Sequence, residues 1–315
     1  MPFDREKVQT AAAALAQQGV FMGTSSWKYP GWRGQLYEHD RYVWRGRFSE
    51  ARFDRLCLSE YAQVFKSVCI DAAYYQFPTC RYLEQLVAQV TPDFQFALKV
   101  TDQVTIKRFP NLPRFGARAA TVNSDFLNPD RFESHFLEPC RQFQPNIGLL
   151  MFEFSRFSPQ DFAQGRDFVA VLDQFLAKLP RGWRYGVEIR NPSFLQPPYF
   201  EVLARHGVAH VFNSWQGMPA LPEQMDLPGS RTNPALLAAR LLLRPGRKYE
   251  EAVKMFSPYD RIQDPYPEGQ AAGARLVAEG RRLGKDGRTF IYVNNRFEGN
   301  ALHTIASILE QAGAA

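Results

Sequence analysis

The feature that most constrains this chain is an alternation. Short apolar runs recur at residues 20–24, 68–75, 94–100, 147–154, 184–190, 208–213, 240–245 and 289–294. Segments with helical periodicity separate nearly all of them, at 52–65, 82–90, 131–143, 161–179, 198–206 and 270–283, and a last one at 301–311 follows the final run. Repeated strand–helix units imply parallel strands joined by right-handed crossovers. Eight such units match a (β/α)8 TIM-type barrel, which takes about 250 residues. The 315 residues here leave a surplus for long loop insertions. An open doubly wound sheet would instead want a Gly-rich loop after its first strand. Gly23-Thr24-Ser25-Ser26 is a poor one.

The remaining stretches fit around that frame. Residues 4–18 are rich in Ala and Gln and read as a helix before the first strand, ended by Gly19. The stretch 101–129 reads as a long excursion rich in Pro, Arg and Asn, and 216–233 reads as loop. The segment 246–267 is polar with aromatics. The piece 234–243 has the Leu and Ala content of a helix, while 240–245 also fits a short strand. Neither a linker nor a repeat divides the chain. The expectation is one domain over 1–315, with a core of about 19–311 and a helical extension at 1–18.

Composition narrows the function classes. An apolar fraction of 45% supplies a sizeable core. The net charge of +6 is compatible with anionic ligands, nucleic acid among them. Cys57, Cys69, Cys80 and Cys140 form no CxxC pair and no Cys/His metal spacing. Scattered single cysteines suggest reduced thiols and a cytoplasmic protein. Charged Asp4, Arg5, Glu6 and Lys7 do not resemble a signal peptide, and no apolar run approaches the ~20 residues of a membrane span. The five histidines make neither HxH nor HExxH, and GxSxG and P-loop motifs are lacking. Neither a metal nor a cofactor is expected.

Chemistry is sought where barrels place it, at the C-terminal ends of the strands. The run Arg184-Tyr185-Gly186-Val187-Glu188-Ile189-Arg190-Asn191-Pro192 is the most informative. Strand side chains alternate, so Glu188 and Arg190 share one face and Val187 and Ile189 the other. Either the acid and base neutralise each other, or they face a site. The other exits carry Trp27, then Asp71 with Tyr74 and Tyr75, Lys99, Glu153, Asn213 with Trp215, Arg244, and Asn294 with Asn295. Lys99, Glu153, Glu188 and Arg190 would face one closed ring, where charges tune one another's proton affinity.

These exits form a family pattern. The matching pieces are Gly23-Thr24-Ser25-Ser26-Trp27-Lys28-Tyr29-Pro30-Gly31-Trp32-Arg33-Gly34, the run 68–78 ending Tyr-Gln-Phe-Pro, and Phe94-Gln95-Phe96-Ala97-Leu98-Lys99-Val100. Further on come Gly148-Leu149-Leu150-Met151-Phe152-Glu153, Val187-Glu188-Ile189-Arg190-Asn191-Pro192-Ser193 and Tyr292-Val293-Asn294-Asn295. On these the chain resembles the YecE-like family, the domain of unknown function 72. The resemblance implies a TIM-type barrel without a settled biochemical function. The family's second strand usually reads Val-Glu-Ile-Asn, where this chain has Val68-Cys69-Ile70-Asp71. Its fourth usually ends in Gln, here Glu153, and its fifth carries Arg-His-Pro, here Arg190-Asn191-Pro192. Its seventh usually looks like Tyr-x-Arg-x-His-Gly, where only Leu242-Leu243-Arg244-Pro245-Gly246 remains. The chain reads as a divergent member.

Two functions fit the sequence. In the first, a barrel enzyme acts on a small polar or anionic substrate, phosphate-like or sugar-like. Glu188 is then the general acid/base, with Glu153 and Asp71 as further catalytic carboxylates. Arg190 and Lys99 hold the anion. Trp27, Tyr75 and Trp215 wall the pocket, and Asn213, Asn294 and Asn295 bind substrate at its edge. In the second, a binding module without chemistry takes nucleic acid or a phosphorylated metabolite through the basic excursion near Lys107 and Arg108. A membrane partner is not expected, and the oligomeric state is left open.

Overall fold

A computed structural model describes residues 2–284 and 286–314. Eight strands close into a barrel: β1 (Val20–Thr24), β2 (Ser67–Ile70), β3 (Gln95–Lys99), β4 (Ile147–Phe154), β5 (Tyr185–Ile189), β6 (Ala209–Asn213), β7 (Leu236–Leu241) and β8 (Arg288–Val293). Their order around the barrel is their order in the chain, every pair is parallel, and β1 meets both β2 and β8. The fold is a (β/α)8 TIM-type barrel. Helices α1 (Arg5–Gln17), α2 (Glu50–Val64), α3 (Cys80–Val87), α4 (Gly165–Leu176), α5 (Pro197–Arg205), α6 (Pro267–Arg282) and α7 (Ala301–Gln311) accompany the barrel.

Local chemistry sets several of these ends. Thr79 caps α3, its hydroxyl accepting from Tyr82 N at 3.2 Å. Asn300 caps α7 through Leu302 N and His303 N. The expected helix over 131–143 is broken into a π-helical turn, Phe132–Leu137, and a 3-10 segment, Glu138–Asn146. Pro139 and Pro145 lack an N–H and cannot continue an α-helical ladder. The run 68–75 is strand only to Ile70; Ala72–Tyr75 then forms a single helical turn, with Tyr74 N donating to Asp71 O at 3.1 Å. The ambiguous piece at 234–243 is a strand, β7, because it fills the gap between β6 and β8 with both faces buried. The stretch read as loop holds a short helix, Leu221–Asp226, and the polar segment 246–267 holds another, Tyr249–Phe256. Among the described residues no helix is long and apolar enough to cross a membrane.

The core has two layers. One lies between barrel and helices and takes the outward face of the strands, such as Val187 and Ile189 of β5. The other fills the barrel interior with Phe21, Leu149, Leu236 and Phe290 near one end and Cys69, Ala97, Met151, Val211, Ala238 and Tyr292 above them. Strand-to-strand closure at β1–β2 is short, with only Gly23↔Ser67 and Thr24↔Val68 in register. The Tyr61 hydroxyl of α2 reinforces it, accepting from Thr24 N and donating to Ser67 O, both at 3.0 Å.

Gly23 is needed at that seam because a Cβ there would lie 2.0 Å from the Ser67 carbonyl oxygen, a backbone atom that cannot swing away. Gly23→Ala is therefore expected to lower the unfolding free energy by about 1–3 kcal/mol or more. Urea denaturation followed by far-ultraviolet circular dichroism checks this, and an unchanged midpoint would contradict the seam geometry.

Candidate active site

Strand alternation builds the site. Cys69, Ala97, Met151 and Ala238 point into the barrel. Two residues further on, on the same faces, stand Asp71, Lys99, Glu153 and Arg240. On β5 the series runs Gly186, Glu188, Arg190. Six charged side chains from five strands thus lie over an apolar floor, at the C-terminal end of the barrel.

They bond to one another. Glu153 is the hub: its Oε2 lies 2.6 Å from Lys99 Nζ, 2.8 Å from Arg190 Nη2 and 2.9 Å from Arg240 Nη1. Glu188 accepts from Arg190 Nε on Oε1 at 3.0 Å and from Arg240 Nη1 on Oε2 at 2.8 Å. Asp71 Oδ1 is held more loosely, 3.5 Å from Lys99 Nζ and 3.4 Å from Arg240 Nη2. Three cations meet three carboxylates, so the ring is formally neutral. That neutrality is what makes its burial tolerable.

The pairing fixes charge states. Burial alone would raise the Glu153 carboxyl, but Arg190, Lys99 and Arg240 hold it well below the usual carboxylate range. Burial likewise works to neutralise Lys99, and the Glu153 and Asp71 carboxylates outweigh it and push the ammonium above its ordinary value. Arg240 is held charged against burial by the carboxylates around it, Glu188 first, then Asp71 and Glu153. The Cys69 thiol beneath the ring is pushed up to about 12 by burial and stays protonated.

Access differs sharply among the carboxylates. Glu188 has 0% exposure and Glu153 2%. The Asp71 side chain is 33% exposed, and that of Arg190 10%. Two aromatic faces flank the ring. Lys99 Nζ lies 4.3 Å from the Tyr74 ring centroid, and the Arg190 guanidinium lies 3.8 Å from that of Trp215.

The other nominated residues lie outside the ring. Trp27 is buried in the outer apolar layer, which accounts for it as packing. Tyr75 is 61% exposed and sits edge-on to Tyr74. Asn213 is fully buried, donating from Nδ2 to Ile189 O at 3.1 Å while Trp215 N donates to its Oδ1 at 3.2 Å; it ties β6 to β5. Asn294 accepts from Arg296 N and Asn295 from Ala301 N, so both organise the turn after β8. The Asn295 Nδ2 is buried without a partner.

Arg240 is the central residue that the sequence reading missed, and Arg244 the one it offered in its place. Arg244 turns away to Asp264, at 3.0 Å. The signal was present: a single arginine inside the apolar run Leu236-Leu237-Ala238-Ala239-Arg240-Leu241. An arginine buried there needs carboxylates opposite it. Among the described residues no group of three His, Cys, Asp or Glu side chains is placed to hold a metal ion.

The model of the family described as "Protein of unknown function DUF72" matches residues 21–315. Two solved DUF72 family structures are similar. One, from Enterococcus faecalis V583, is 18% identical with a TM-score of 0.61, covering 93% of this chain and 95% of that one. The other, from Thermotoga maritima MSB8, is 20% identical with a TM-score of 0.58, covering 93% and 99%. At this identity they show a shared fold. A search of curated proteins returns no match.

Removing the hub leaves three cations around an amide. Glu153→Gln is expected to cost about 3–5 kcal/mol at neutral pH. A carboxylate depressed on folding stabilises fully above its unfolded value of about 4.3 and loses that contribution as pH falls towards the folded one. The stability gap between wild type and Glu153→Gln should therefore narrow below about pH 4. Denaturant titrations across pH check both the gap and its closing; a gap independent of pH would contradict an ionised hub.

Proposed function

We infer that this chain, which belongs to the DUF72 family, is a barrel enzyme that takes a small polar, anionic substrate at the mouth of the charged ring. One observation carries the reading. Six charges converge at the end where barrels do chemistry, and the Asp71 side chain, at 33%, is the most exposed of them, with Arg190 at 10% and Lys99 at 9%. A net that served stability alone could be replaced by apolar packing at little cost.

The geometry redistributes the roles. Both Glu188 oxygens are occupied and the group is fully buried, so it positions Arg190 and Arg240. Glu153 locks the cations in their charged state. Asp71, loosely held and accessible, is the carboxylate that can take a proton from a substrate hydroxyl or a water and return it. Arg190 spends Nε and Nη2 on Glu188 and Glu153, which leaves Nη1 as a donor for the substrate's anionic group. Stacking on Trp215 fixes that guanidinium plane. Lys99 adds charge below. Four free thiols, three of them buried, suit a reducing compartment, and the cytoplasm is the proposed location.

A second reading, nucleic-acid binding without chemistry, is favoured by exposed Arg108, Arg114, Arg118 and Arg156 beside the mouth. It requires oligonucleotide affinity that falls steeply with salt and is lost in Arg108→Glu; weak, salt-insensitive binding dismisses it.

The enzyme reading is tested on a turned-over compound found by screening small anionic metabolites. Asp71→Asn should lower kcat by about 100-fold or more while changing ligand affinity little. Arg190→Gln should weaken binding about tenfold or more. Wild-type turnover in Asp71→Asn would remove Asp71 from the chemistry.

A further inference from the structure

Beside the ring lies a cavity of about 120 Å³, between the helical turn that follows β3 and the segment that leaves β4. Tyr74 is the shared wall: it lines the cavity and also carries Lys99 of the ring over its face. The space exceeds the roughly 10–15 Å³ that a single water needs and admits a compact tetrahedral group. It is small beside the ~300–1,000 Å³ of a typical whole-ligand pocket.

Its lining is basic. Lys107, Arg108, Arg114 and Arg156 face one carboxylate, Asp161. That carboxylate is largely engaged, its Oδ2 accepting from Ser158 N at 2.9 Å and Ser158 Oγ at 2.8 Å, with Arg108 Nε 3.8 Å from Oδ1. Arg114 is turned to Asp102 at 3.3 Å. Two cations are left over. The Arg156 side chain has no hydrogen bond, ion pair or ring partner among the described residues. Lys107 Nζ lies over Phe126 and Phe162, at 5.2 and 5.7 Å, with no carboxylate partner among them.

Unpaired cations around a small cavity call for an anion rich in acceptor oxygens.

We propose that this cavity is a phosphoryl-binding subsite, holding the phosphate of a phosphorylated small molecule whose remainder passes Tyr74 onto the charged ring. Arg156 and Lys107 supply the charge. The proposal names the substrate class of the site described above and rests on that reading.

Isothermal titration calorimetry with inorganic phosphate, at fixed ionic strength, tests it. Wild-type protein should bind one phosphate saturably. Arg156→Gln should weaken binding about tenfold or more, and Lys107→Gln about as much. Glycerol 2-phosphate should displace inorganic phosphate. The proposal is overturned by absent or unsaturable binding, or by affinity unchanged in both variants. A monoester that fails to compete also overturns it, since the cavity then takes free phosphate only. None of these results touches the Asp71 test, because Lys107 and Arg156 bond to none of the six ring residues.

Discussion

A closed net of six charges, four of them buried, governs this molecule. Lys99, Arg190 and Arg240 each depend on Glu153, and Glu188 and Asp71 complete the pairing. Removing any member leaves its neighbours short of a partner in a place with little water to replace it. The net also fixes strand register. Glu153 and Glu188 stand opposite each other across β4 and β5, and a slip of one residue would send one of them into the outer apolar layer.

Such a net solves the electrostatics of burial and creates a functional asymmetry. The deep carboxylates are enclosed by their cations. The shallow one, Asp71, has long contacts and partial access. A barrel mouth arranged this way pairs its cations and leaves one accessible carboxylate above them. Trp215 and Tyr74 hold the two outer cations by their faces, so the donors keep their direction when no ligand is present.

The barrel was legible because its evidence is repetitive: eight apolar runs and the helices between them repeat one unit, and β4 and α7 lie at the expected residues, Ile147–Phe154 and Ala301–Gln311. Four members of the ring, Lys99, Glu153, Glu188 and Arg190, followed from strand ends and alternation, and Asp71 from its place after β2. Arg240 did not, because the Leu and Ala around it serve helix and strand equally and the segment was ambiguous. Its strand character comes from the gap between β6 and β8, a tertiary fact. The partners of Asn213, Asn294 and Asn295 were equally hidden, since a buried amide at a strand end can cap a turn or meet a ligand with the same sequence. The cavity beside Tyr74 draws on residues from 74 to 161, and no local pattern joins them.

The most direct test of the net is a pH titration of its hub by carbon-13 carboxylate NMR, with Glu153→Gln supplying the assignment. The Glu153 carboxyl is expected to stay ionised through the range where ordinary glutamates titrate, near pH 4.3, and to protonate only in stronger acid. A Glu153 that titrates at or above the ordinary glutamate value would contradict the three-cation hub and the division of roles built on it.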